Sequence, residues 1–138
     1  MSMCDIYSAV AKSLELAGDC MGDPTLAVYE RLIVIRPEFE ALFVLDSDFS
    51  VRGEMLSRVF EMVLDVADEG ELVEPLLQAE FYNHCGYGVP PEQFLLMFDV
   101  VRDEIKQRLG SLWTSEMDFA WNGVLTRLRT LHADFDAT

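Results

Sequence analysis

Residues 75–94 read PLLQAEFYNHCGYGVPPEQF. Pro75 suits a first helical turn, where its missing N–H costs nothing. Leu76, Leu77 and Phe81 follow at roughly helical spacing. Gly86 and Gly88, two residues apart, stop the helix. Val89, Pro90 and Pro91 restart the chain, and Phe94 opens a second apolar periodicity. The stretch therefore predicts a helix, a tight corner and another helix, with His84 on the last turn before the corner. Taken alone, one imidazole there is better explained by a core or surface histidine satisfied by a carbonyl. What the histidine is for depends on the rest of the chain.

Downstream, apolar positions Phe94, Phe98, Val101, Ile105 and Leu109 share one face of a helix from Pro91 to Leu109, with Gly110 at its end. Thr114 is placed to cap a last helix, with Glu116 in its first turn favouring the dipole. The face of that helix is Met117, Trp121, Val124 or Leu125, Leu128 and Leu131. Upstream, a helix of about 49–67 carries Phe49, Leu56, Val59, Phe60 and Val63 inward, and closes at Asp68-Glu69-Gly70. Gly53 inside it is expected to mark a close helix crossing. Before it, Asp46, Ser47 and Asp48 read as a loop, and Pro37 breaks a preceding helix that runs from Pro24, capped by Asp23, to Ile35. From Leu26 onward that helix is apolar nearly all round, which predicts burial on several sides. The first helix is capped by Asp5, presents Ile6, Val10, Leu14 and Ala17 on one face, and is expected to end at Gly18. No pair of alternating apolar runs is joined by a two-residue hairpin turn. The class is all-α, in one domain spanning 1–138.

The chain has 138 residues, half of them apolar, enough for one sizeable core. Its net charge of −15 disfavours nucleic acid and anionic membranes as partners, because phosphates are bound by clustered Lys and Arg. No apolar run approaches the roughly 18 residues that a membrane span needs. Residues 1–13 carry Asp5 and lack the basic start and apolar centre of a secretory signal, so a cytoplasmic protein is expected. The three cysteines, Cys4, Cys20 and Cys85, share no metal-site spacing and read as reduced thiols.

Three stretches together resemble a globin, closest in kind to bacterial single-domain haemoglobins and the haem domain of flavohaemoglobins. They are Val28-Tyr29-Glu30-Arg31-Leu32 through Pro37 to Ala41-Leu42-Phe43; His84 followed by Tyr87-Gly88-Val89-Pro90-Pro91-Glu92-Gln93-Phe94; and Leu109-Gly110 with Trp113-Thr114-Ser115-Glu116 and Ala120-Trp121. The resemblance runs from about residue 5 to 131. It implies a three-over-three helical sandwich around haem b (iron protoporphyrin IX). His84 matches the iron's axial ligand, a neutral imidazole being the globin choice. Phe43 matches the ring that stacks on the porphyrin, and Tyr29 the distal phenol that donates to a bound gas. Leu56, Val89 and Phe94 complete the implied haem contacts.

The distal position itself depends on register. Counting from Phe43 reaches Gly53, whereas counting back from His84 reaches Arg52. The second register turns Leu56 to the haem and Phe49, Phe60 and Val63 inward, so Arg52 is taken as distal. It then contacts either the ligand or a haem propionate. The chain departs from the flavohaemoglobin pattern at three points. Phe94 stands where that family has a tyrosine, and the position of its proximal glutamate falls near Thr138 with no carboxylate. No flavin or nicotinamide segment is found. Glu80 stands one turn before His84, where a leucine-like residue is usual.

The resemblance implies reversible binding of dioxygen, nitric oxide or carbon monoxide by a carrier, store or sensor, as monomer or homodimer, rather than an enzyme. Two other readings stay open: a nitric oxide dioxygenase served by a separate reductase, and a haem-free globin-fold module acting through protein contacts.

Overall fold

The computed structural model describes residues 3–22, 24–43, 46–47, 50–69, 73–86 and 91–136, except the side chains of 3, 4, 20, 21, 42, 73, 81, 83–86, 91–93 and 134–136. Among the described residues, six α-helices and two short 3₁₀ helices follow one another: α1 (Met3–Met21), α2 (Thr25–Ile35), a 3₁₀ helix (Pro37–Phe43), α3 (Ser50–Ala67), α4 (Val73–Gly86), α5 (Pro91–Leu109), a 3₁₀ turn (Gly110–Leu112) and α6 (Ser115–Asp136). Among the described residues there is no strand. The all-α expectation holds.

Helix α1 packs against α6, α5 and α3; α2 packs against α5, α3 and the 3₁₀ helix; α5 also meets α4 and α6. The core is therefore contributed by every long helix. Its centre includes Val10, Val28, Leu56, Val63, Phe98, Val101, Trp121 and Leu128, each at most 2% exposed. Inside it, the Trp121 indole N–H donates to Ser13 Oγ at 2.8 Å, and Ser13 donates onward to the Val10 carbonyl at 2.6 Å. A buried indole needs such a partner, and here it joins α6 to α1.

Where boundaries were legible, a local device sets them. The last helix opens as expected, with Met117 N–H donating to Thr114 Oγ1 at 3.1 Å. Helix α5 has the predicted bounds, and Gly110 follows it at φ +52, a conformation that suits a residue without Cβ. Helix α1 differs. Gly18 lies inside it, and the stop is Gly22, at φ +71, whose N–H donates to the Gly18 carbonyl at 2.9 Å. Asp5 lies in the first turn rather than at the cap.

Helix α2 corrects a second expectation. Its buried residues are Thr25, Val28, Tyr29 and Leu32, a single face at i, i+3, i+4 and i+7. Leu26, Val34 and Ile35 on the other side are exposed, Val34 by 80%. Apolar composition all round does not by itself bring partners to every side; α2 has neighbours on one. The Asp23 cap and Phe49 lie outside the described residues. Pro24 stands just before α2 with no side-chain cap bond. Helix α3 buries Leu56, Val59, Met62, Val63, Val66 and Ala67, with Phe60 half-buried beside them.

Candidate functional site

The crossing of α2 and α3 gathers the first group of singled-out residues. Tyr29, on the buried face of α2, is 2% exposed. Phe43 ends the 3₁₀ helix that Pro37 begins, which turns its ring back towards α2. The two rings meet edge to face, with centroids 5.3 Å apart and planes at 72°. Arg52 belongs to the first turn of α3, and its guanidinium carbon lies 5.2 Å from the Phe43 centroid, a cation over an aromatic face. The Tyr29 hydroxyl donates to the Arg52 carbonyl at 3.3 Å. That bond is long, and a carbonyl at this point of a helix already accepts from the amide one turn on.

Asp46 holds the arrangement in place. It is 7% exposed. One oxygen accepts the Val51 N–H at 3.1 Å; the other accepts the Arg52 N–H and Arg52 Nε, both at 3.0 Å. Arg52 Nη2 donates to the Asp46 carbonyl. Asp46 thus caps α3 and clamps the first arginine of that helix. Burial pushes its carboxyl up, but the two backbone N–H groups and the guanidinium outweigh that and leave it below the usual value. Tyr29 goes the other way. Burial raises its phenol well above the usual value, with Asp46 adding to the rise and Arg52 opposing it. The phenol therefore keeps its proton, and remains a donor, at any ordinary pH.

The sequence places Asp46 in a loop. Its carboxylate reaches amides five and six residues ahead, beyond the usual capping distance of two or three. The aspartate–serine–aspartate run before a helix was the available signal, and it did not say which acid would turn inward.

Leu56, one turn beyond Arg52, is 2% exposed. It also walls a cleft of about 540 Å³ that opens between the start of α2 and the outer side of α3, where Pro24, Thr25, Gly53, Ser57 and Phe60 line it. The expected close crossing at Gly53 is not found among the described residues: a Cβ built there meets none of their atoms within 4 Å. The helices meet at Tyr29 and Arg52, the residue just before Gly53, and Gly53 itself turns to open space.

Phe94, 7% exposed, lies on α5, edge to face with Phe98 at 5.8 Å. Glu80 on α4 is not turned to open solvent. Its carboxylate accepts from Arg58 of α3 at 3.1 Å, and its side chain is 14% exposed. The backbone places His84 in the last turn of α4; its side chain lies outside the described residues, as does all of Val89. Among the described residues, no three His, Cys, Asp or Glu side chains converge as a metal site. Nor is any helix long and apolar enough to cross a membrane.

No protein-family model, no curated protein and no solved structure matches this chain.

Proposed function

We propose that this chain is a haem-binding globin that reversibly takes up a diatomic gas. What carries the reading is the meeting of Tyr29, Phe43 and Arg52. These residues are chosen from the sequence for separate roles, and they stand around one point at the α2–α3 crossing. The packing of α1 on α6, α5 and α3, and of α2 on α5, supports a three-over-three helical sandwich as the finer architecture.

The described residues suit a haem. A flat apolar ring system needs aromatic and aliphatic walls, and Phe43, Leu56 and Phe94 are of that kind. Its propionates need a cation, and Arg52 is one. A polar gas needs a buried donor, and among the described residues the Tyr29 phenol has one long bond to a carbonyl to give up. His84, closing α4 before the corner, is the residue that would hold the iron. When bound, haem supplies the metal that takes the gas.

The chain's own part is positional. Tyr29 holds a proton at Oη and offers it to the polar end of a diatomic. Asp46 fixes the Arg52 guanidinium over Phe43, where it covers one side of the ring. The apolar walls exclude water, which keeps a buried hydrogen bond strong.

The test is an optical spectrum of the ferrous, haem-loaded protein with and without carbon monoxide. A Soret band that shifts with the gas, and its loss in His84→Ala, is expected. Haem bound only to the native fold also stabilises it by mass action, so His84→Ala should melt at a lower temperature than the loaded parent. A chain that retains no haem, or a His84→Ala variant with an unchanged spectrum, sinks the reading.

A further inference from the structure

We infer that the gas reaches the site through the cleft between α2 and α3 beside Gly53, and not past Arg52. This rests on the haem reading above. The side of the site next to Arg52 is shut, because the guanidinium lies over Phe43 and is held by both the carboxylate and the carbonyl of Asp46. The Tyr29 hydroxyl stitches α2 to α3 at the same level. Beside this contact a cleft opens between the start of α2 and α3. Thr25 precedes Tyr29 by four residues on the same buried face of α2, about 6 Å along the axis. Leu56 follows Arg52 by four on α3. The cleft occupies the space between these two displaced positions, and Leu56 walls it. Gly53 and Leu56, one and four residues beyond Arg52, both line the cleft, which brings it beside the stretch of α3 whose Arg52 carbonyl the phenol bonds.

Gly53 keeps the channel wide. No atom stands within 4 Å of where its Cβ would be, and any larger residue would put its side chain into the cleft. A glycine inside a helix costs stability, and here no tight packing against α2 explains it. An open passage does. Leu56, buried and lining the cleft, is the side chain that must turn to admit the gas.

The experiment uses Gly53→Cys in the full chain, capped with alkyl thiosulfonates of increasing size. Mass spectrometry of the peptide carrying position 53 reads the labelling, which needs no haem and should be rapid for the methyl reagent. Carbon monoxide association and dissociation are then measured on the haem-loaded, capped protein. Obstructing a passage raises the barrier in both directions, so both rates should fall together, about tenfold or more for the largest cap, with the equilibrium affinity unchanged. Ser57→Cys, one turn on along the same wall, serves the same series where Gly53→Cys does not fold. Rates that ignore the cap overturn the route. So does an affinity change from one rate alone, which would mean a distorted site, or failure of the methyl reagent to label. A parent that forms no carbon monoxide adduct at all removes the haem reading, and the route with it.

Discussion

Tyr29 and Asp46 carry the clearest single-residue consequences. A hydrogen bond to a charged or strongly polar acceptor is worth about 1.5–3 kcal/mol. On the proposed haem reading, Tyr29→Phe should therefore speed oxygen dissociation by roughly one to two decades. Carbon monoxide, less polar when bound, should respond less. Stopped-flow displacement with both gases checks this; equal oxygen rates in variant and parent would show that the phenol does not meet the ligand. Fold stability should change little, since the bond lost to the Arg52 carbonyl is long and that carbonyl keeps its helical partner. Asp46 acts on stability through pH. Its carboxyl titrates below the unfolded value of about 3.9. The stability it contributes is thus fully present above that value and is lost as pH falls through the lower, folded one. Asp46→Ala should melt below the parent by a constant margin from about pH 7 to 5, and the margin should close below about pH 4. Thermal melts across that range decide it; a margin that widens on acidification would mean that Asp46 is not held as the charged cap.

At the level of elements, two glycines make opposite predictions. Gly53 has helical neighbours and free space, so Gly53→Ala should raise stability by about 0.5–1 kcal/mol through backbone entropy. Gly110 also has free space but sits at φ +52, where a Cβ is strained. Gly110→Ala should lower stability by about 1–2 kcal/mol. Urea unfolding of the two variants gives the comparison directly; destabilisation by Gly53→Ala would mean that the crossing is tighter than the open space indicates. The charged tie between α2 and α5 belongs to the same scale. Arg31 reaches Glu104 at 2.9 Å, Arg108 reaches the other oxygen of Glu104 at 3.1 Å, and Arg31 also donates to Gln107. Glu104 is 9% exposed, so its charge is acceptable there only because two guanidinium groups face it. Nothing local in the sequence around Arg31 marks it as the partner of a residue 73 positions away.

For the whole molecule, the Trp121–Ser13 bond joins α6 to α1 across 108 residues. Trp121→Phe removes that bond and shrinks a fully buried side chain, leaving a cavity. The expected loss is about 1–3 kcal/mol, seen as a lower urea midpoint at unchanged slope. The slope matters: a change in it would mean that the variant alters how compactly the unfolded chain or the native bundle sits. Ser13 keeps its own bond to Val10, so its hydroxyl proton is not orphaned, and a loss well above that range would place more of the core under Trp121 than the indole itself fills.

What the sequence determined by itself is what local chemistry dictates. A threonine before a helix caps it; a glycine after Leu109 ends one; apolar residues at helical spacing choose the inward faces of α3, α5 and α6. Those effects act within a turn or two of the residue concerned, and the all-α class follows from them. The aromatic and charged residues of the proposed site were also legible, through a resemblance that ordered them along the chain. Tertiary structure alone decided the rest. It left α2 covered on one side, because neighbours and not composition bury a helix. It turned Asp46 inward, because a cap of that reach depends on the path of the loop. It bound Arg52 to that carboxylate and Glu80 to Arg58, because which partner an exposed or half-buried charge finds depends on the distance between helices. And it opened a cleft at Gly53 where a contact was expected, since whether two helices touch at a small residue depends on where along their axes they cross.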